Sequence, residues 1–136
     1  MSKSSEAQPF VTIRLPEKPD TIAPDGSEIR LLPHLAGGSM VVARLQPGQI
    51  SAAVSHRTVE EIWYILAGTG EMWRKQNGYE TIVDLQPGVS LTIPLGTHFQ
   101  FRNTGQDVLD VLLVTMPPWP DDSEAYPVEG PWLSGR

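Results

Sequence analysis

Apolar and polar residues alternate in short runs, each closed by glycine, proline or asparagine, and no stretch carries a convincing helical period. The strongest run is Glu61 to Ala67, with Ile62-Trp63-Tyr64-Ile65-Leu66 at its centre, and it stops at Gly68-Thr69-Gly70. Both of its faces are apolar, which predicts a strand buried on both sides. Gly70 to Arg74 opens the next strand, Gln76-Asn77-Gly78-Tyr79 turns it back, and Thr81 to Leu85 returns. Asn-Gly at the tip is a strong hairpin signal. Upstream, Ser27 to Leu32 and Ser39 to Leu45 flank Ala36-Gly37-Gly38; downstream, His98 to Arg102 and Val108 to Thr115 flank Asn103-Thr104-Gly105-Gln106. About nine short strands between regular turns predict an all-β sandwich or barrel.

The chain also echoes itself. Leu45-Gln46-Pro47-Gly48 returns forty residues later as Leu85-Gln86-Pro87-Gly88. Proline presets one turn position and glycine supplies positive φ at the next, so both copies should form tight turns. Each is followed by an alternating segment, Ile50 to Val54 and Val89 to Ile93, as expected of two similar halves of one sheet structure.

The two ends read differently. Met1 to Gln8 is polar and aperiodic, and disorder is expected there. Pro9, Pro16, Pro19 and Pro24 make the following stretch an extended or edge segment, ending at the Asp25-Gly26 turn. From residue 117 the chain is proline-rich and acidic yet carries Trp119, Tyr126 and Trp132. Those aromatics predict a tail that packs across the domain, or onto a neighbouring subunit, with residues 9–116 as the domain itself.

Composition narrows the classes of function. The 136 residues suit one domain, and 40% hydrophobic with 19% charged residues is ordinary for a globular chain. A formal charge of −6 disfavours nucleic-acid binding. There is no cysteine, hence no disulfide framework or thiolate metal site. Without an apolar leader or a run of about 20 apolar residues, a cytoplasmic protein with no membrane contact is expected. Gly68-Thr69-Gly70 lacks the third glycine and helix of a phosphate loop, and no serine sits in a nucleophile elbow.

Specific chemistry enters through spacing. Gly48 is followed by Val54, His56, Glu61 and Gly68; Gly88 is followed by Pro94, Gly96, Phe99 and Asn103. These positions resemble the two motifs of the cupin superfamily, over about residues 28 to 115. The resemblance implies a cupin-type antiparallel β-barrel (a jelly roll, or double-stranded β-helix). It also implies a metal site of three histidines and one glutamate, suited to Fe, Mn, Ni, Cu or Zn. His56 and Glu61 stand at two of those positions, whereas Val54 and Phe99 replace two histidines. His98, one residue early, is the one further candidate metal ligand; strand alternation would turn it away from Phe99 and Phe101 unless a bulge re-aims it.

The candidate site therefore has His56 and Glu61 as catalytic or metal-ligating residues. Glu61 rather than its neighbour Glu60 is expected inside, because Arg57-Thr58 should bend the chain and because of the spacing to Gly68. Within an apolar barrel the two could share a proton as an acid/base couple. Val54, Trp63, Phe99 and Phe101 are the expected pocket walls, with Arg44 as a candidate anchor for a ligand carboxylate and Arg57 as a second one. Met72 and Trp73 are expected in the core, and His34 in a solvent-exposed turn. Two functions stay open: binding of a small organic ligand in the barrel, or metal-dependent catalysis as a dioxygenase, isomerase or lyase. The two-sided apolar strand at Ile62, Tyr64 and Leu66 points in addition to a homodimer.

Overall fold

The computed structural model describes residues 7–135. The expected disorder of Met1 to Gln8 therefore lies, for residues 1–6, outside the described residues. Among the described residues eleven strands follow one another: β1 (Thr21–Ile22), β2 (Glu28–Leu35), β3 (Gly38–Leu45), β4 (Val54–His56), β5 (Glu60–Ala67), β6 (Gly70–Gln76), β7 (Tyr79–Leu85), β8 (Ser90–Ile93), β9 (His98–Asn103), β10 (Leu109–Met116) and β11 (Ala125–Pro127). Their hydrogen bonds build two antiparallel sheets, one ordered β1-β2-β3-β10-β5-β8 and the other β11-β4-β9-β6-β7. A single 3-10 turn, Asp122–Glu124, is the helical element among the described residues. The fold is the all-β barrel expected from the strand pattern.

Turn chemistry places most of the boundaries. Asn77 and Gly78 both take positive φ, at 51° and 79°, as a two-residue hairpin between β6 and β7 requires. In the two echoed turns Gly48 and Gly88 sit at φ 80° and 95°. Each turn is closed by the same bond, Gln49 N to Gln46 O and Val89 N to Gln86 O, both 3.0 Å. Beyond the turns the symmetry is incomplete. The second copy runs into β8, whereas residues 50–53 stay irregular, Ile50 forming only isolated bridges to Arg102 and Gly135.

Period-2 alternation fills the space between the sheets. On β5, Glu61, Trp63 and Ile65 are buried; on β10, Leu109, Val111 and Leu113 are; from the other sheet come Met72, Phe99 and Phe101. Trp63 is the centrepiece, with its ring edge-on to Phe99 at 5.8 Å and to Phe101 at 4.8 Å. Met72 joins this core, and buried Trp73 donates Nε1 to Glu80. His34 is exposed as expected, though within β2 rather than in a turn.

One expectation changes. Ile62, Tyr64 and Leu66 are 47%, 46% and 44% exposed, so β5 is buried on one face only within the chain. They point to the outer side of the larger sheet, where β5, β10 and β3 set Tyr64 beside Leu112 and Val42, and Ile62 beside Val114 and Met40. Elsewhere on that side the N-terminal segment does cover the sheet. Buried Arg30 donates from Nε to Pro16 O (3.1 Å) and from Nη2 to Glu17 O (3.0 Å), which satisfies the guanidinium against backbone.

The C-terminal tail packs on the barrel. β11 pairs with β4, placing Ala125 opposite His56. Further on, buried Gln100 donates to Ser51 O and Trp132 O, both 2.8 Å, and accepts from Trp132 N. The Trp132 ring lies 4.1 Å from the Arg102 guanidinium.

Candidate functional site

Between the sheets lies a cavity of about 140 Å³. Its walls come from the expected residues Val54, Trp63, Phe99 and Phe101, together with Ile29, Val41, Ala43 and Leu113. Asp25, His56, Glu61, Thr115, Trp119 and Asp122 supply its polar and closing groups.

His56 is the last residue of β4 and is 6% exposed. Its ring meets Phe99 and Trp119 edge-on at 5.2 and 5.1 Å, and Nδ1 has no hydrogen-bond partner. Burial pushes its pKa down to about 4 against the opposing pull of the Glu124 charge, so the imidazole is neutral at pH 7. Beyond it the chain bends. Buried Glu124 accepts from Thr58 N and Thr58 Oγ1 at 2.6 Å and from Val59 N at 2.8 Å. Burial works against the Glu124 charge, but these bonds outweigh it and hold the carboxyl below its ordinary range. The bend resets strand parity. His56 and Glu61, an odd number of positions apart, consequently line one cavity, while Glu60 is exposed.

Glu61 is 4% exposed, and Oε1 accepts from Trp63 Nε1 at 2.8 Å. Burial drives its pKa up to about 8; the Trp63 bond works in the other direction, and the nearby Asp25 and Glu124 charges add to the rise. At pH 7 it is therefore mainly a neutral carboxylic acid, able to donate as well as accept. No hydrogen bond joins it to His56 among the described residues, so the expected shared-proton couple does not form directly. Asp25, from the turn between β1 and β2, is also pushed up by burial, although Ser27 N and Ser27 Oγ donate to its Oδ1 at 3.0 and 2.7 Å.

Three candidate residues lie outside the cavity lining. Arg44 does not line the cavity. Val41 and Ala43 face inward from β3, so Arg44 faces outward, where Nε and Nη2 bind Asp110 at 2.7 and 2.9 Å. Arg57 is exposed, donates to Ser123 O and stacks on Tyr126 at 4.8 Å. His98 sits opposite Lys75, one position before inward-facing Phe99, and regular alternation turns it away from His56 and Glu61. Without a bulge, nothing re-aims it.

The metal expectation meets the same geometry. Val54 and Phe99, at the places of two histidines, are direct cross-strand partners. Half of the ligand set is thus a packed apolar pair. Among the described residues no three His, Cys, Asp or Glu side chains are grouped to hold a metal ion. The residues present do not fit a three-histidine, one-glutamate centre.

Sequence reasoning missed Asp25, Thr115, Trp119 and Glu124. Asp25 was legible only as a turn residue, and Trp119 only as an aromatic in the tail. Trp119 reaches the cavity because its backbone N donates to Ser39 Oγ (3.2 Å), which itself bonds Thr115 Oγ1.

The family model for the cupin domain matches residues 41–115, more than half of the chain. The chain belongs to the cupin family. A relative, the uncharacterized protein MJ1618 of Methanocaldococcus jannaschii, is 33% identical over 103 residues, covering 72% of this chain and 79% of its own. Among solved structures, a predicted oxalate decarboxylase from Thermotoga maritima superposes with a TM-score of 0.65 at 24% identity, over 79% of this cupin and 99% of that chain. The capsular polysaccharide assembling protein CapF of Staphylococcus aureus superposes at 0.66 and 16% identity, over 76% of this chain. This cupin spans about a third of CapF (32%), a protein also solved with the inhibitor 3-isopropenyl-tropolone. At these identities the structural likeness speaks for the fold alone.

Proposed function

We propose that this cupin binds a small organic molecule inside its barrel, through an apolar cavity with His56 and Glu61 as its polar groups and without a transition metal. The observation that carries this reading is the apolar cavity itself, walled by Trp63, Phe99 and Phe101, with His56, whose Nδ1 has no partner, among its lining residues. Its volume of about 140 Å³ is close to that of a cavity of about 150 Å³ that holds a benzene ring. A molecule with one ring and one polar substituent matches both size and lining. The apolar Val54–Phe99 pair favours binding over metal-dependent dioxygenase, isomerase or lyase chemistry. Trp63 and Trp119 line the cavity, so their fluorescence is the natural readout. Titration with benzyl alcohol should change it saturably in the wild type and much less in Ala43→Phe, which fills the cavity. A wild type that shows no saturable change would overturn the reading.

Two copies are further proposed to pair through the outer side of the larger sheet. Tyr64, Ile62 and Leu66 are half-exposed there, and the N-terminal arm carries Phe10 (100%), Val11 (61%), Ile13 (47%) and Leu15 (43%) with little covering them. The arm crosses this same face at Pro16 and Glu17, above Arg30. Each copy thus offers an apolar arm and an apolar face, and a two-fold axis satisfies both at once.

A further inference from the structure

We propose that the barrel cavity selects a small organic ammonium ion, a one-ring amine, paired with Glu61, over a carboxylate or phosphate of similar size. This rests on reading the cavity as a small-molecule site and specifies the charge of its occupant.

The lining is unbalanced in charge. Asp25, Glu61 and Asp122 contribute carboxyl groups, while no lysine or arginine among the described residues lines the cavity. Arg44, the expected carboxylate anchor, is committed to Asp110 on the outer side, and Arg57 is committed to Ser123 and Tyr126. Behind His56, Glu124 is a buried carboxylate fixed by three hydrogen bonds, and it adds negative potential to the same region. Buried carboxyl groups in proteins are ordinarily paired with a cation. Glu61 has only the Trp63 indole, and Asp25 only Ser27. A positive charge is the missing partner.

Hydrogen-bonding capacity points the same way. An ammonium group carries three N–H donors and no acceptor. The cavity offers it a Glu61 oxygen, the Asp25 carboxyl and the imidazole of His56, whose buried Nδ1 has no partner. An entering carboxylate could take a hydrogen bond from protonated Glu61, but it would face half-buried Asp25 and the fixed Glu124 anion with no guanidinium or ammonium to receive it, so most of its desolvation goes unrecovered. The aromatic walls suit either a ring or a cation seated against it. On binding, Glu61 ionises: its proton leaves to solvent and its carboxylate pairs with the ligand ammonium, so charge balances inside the barrel.

Three probes of one size separate the possibilities: benzylamine, benzyl alcohol and benzoate, titrated calorimetrically into the full chain at pH 7 in two buffers of unlike ionisation enthalpy. Benzylamine should bind about tenfold more tightly than benzyl alcohol, with benzoate weakest. Its heat should depend on the buffer, reporting a released proton. Glu61→Gln should bring amine and alcohol to equal affinity and remove the buffer dependence of the amine's heat. Benzoate binding tightest, or amine and alcohol equal in the wild type, would overturn the inference and leave the small-molecule reading standing. Failure of all three probes at millimolar concentration would overturn both.

Discussion

Trp63 donates its indole N–H to Glu61, two positions earlier on the same face of β5, at 2.8 Å. One bond thus joins the largest side chain of the core to the buried acid of the cavity. It satisfies the indole and steadies one Glu61 oxygen. Trp63→Phe keeps an aromatic ring, though a smaller one, and removes the donor. It should cost about 2–4 kcal/mol in denaturant unfolding, from the lost buried hydrogen bond together with the void left by the smaller ring. Because the bond lowers the Glu61 pKa, its removal should move that pKa further upward, readable by NMR titration of the carboxyl.

The His56 and Glu61 pKa values give stability an unusual dependence on pH. Glu61 rises from 4.5 to about 8 on folding, so the folded chain holds the extra proton between those values and stability falls as pH rises through them. His56 drops from 6.5 to about 4, so the unfolded chain holds the extra proton and stability rises with pH across that window. The two cancel where they overlap. Above pH 6.5 the His56 contribution has ended; Glu61 should then cost the fold about 2 kcal/mol by pH 8, and Asp25, also raised by burial, acts in the same direction. Glu61→Gln should remove the Glu61 share of that loss and make the His56 rise below pH 6.5 more visible. Urea melts at half-unit pH steps on both proteins test this; a wild type whose stability climbs from pH 6.5 to 8 contradicts it.

Glu124 sets the bend that turns His56 and Glu61 to one side. Glu124→Gln retains an acceptor but loses charge on three hydrogen bonds and should destabilise by about 2–3 kcal/mol. The wild-type carboxyl sits below its ordinary value, so this contribution is present above that ordinary value and fades as pH falls through the folded one. The variant should also lower the His56 pKa further, since Glu124 raises it. An unchanged His56 titration would show that the two groups do not interact.

How far the sequence carried this depends on the kind of residue. Turn-forming positions were legible because their requirement is local: Pro47-Gly48, Pro87-Gly88 and Asn77-Gly78 each force a backbone that few other residues accept. Inward-facing residues on regular strands, such as Trp63, Phe99 and Phe101, followed from alternation. Arg44 faces outward because Ala43 and Val41 face in on the same strand, a parity that its charge alone does not reveal. Asp25, Trp119 and Glu124 reach the site from outside the motif region, through contacts spanning scores of residues, such as Glu124 to Thr58. No local period records such contacts.

The proposed dimer face yields its own test. Tyr64→Asp places a charge among Ile62, Leu112 and Val42 on the outer side, away from the cavity. Light scattering at micromolar concentration should give twice the 15.0 kDa chain mass for the wild type and one chain mass for the variant, with benzyl alcohol still bound. A monomeric wild type would remove the dimer while leaving the cavity reading untouched.

Metal content tests the central claim most directly. Protein purified without chelator should carry far less than one equivalent of Fe, Mn, Ni, Cu or Zn by elemental analysis, and benzyl alcohol binding should be indifferent to added chelator. One equivalent of a single metal, lost in His56→Ala, would contradict a cavity built to hold an organic ligand by itself.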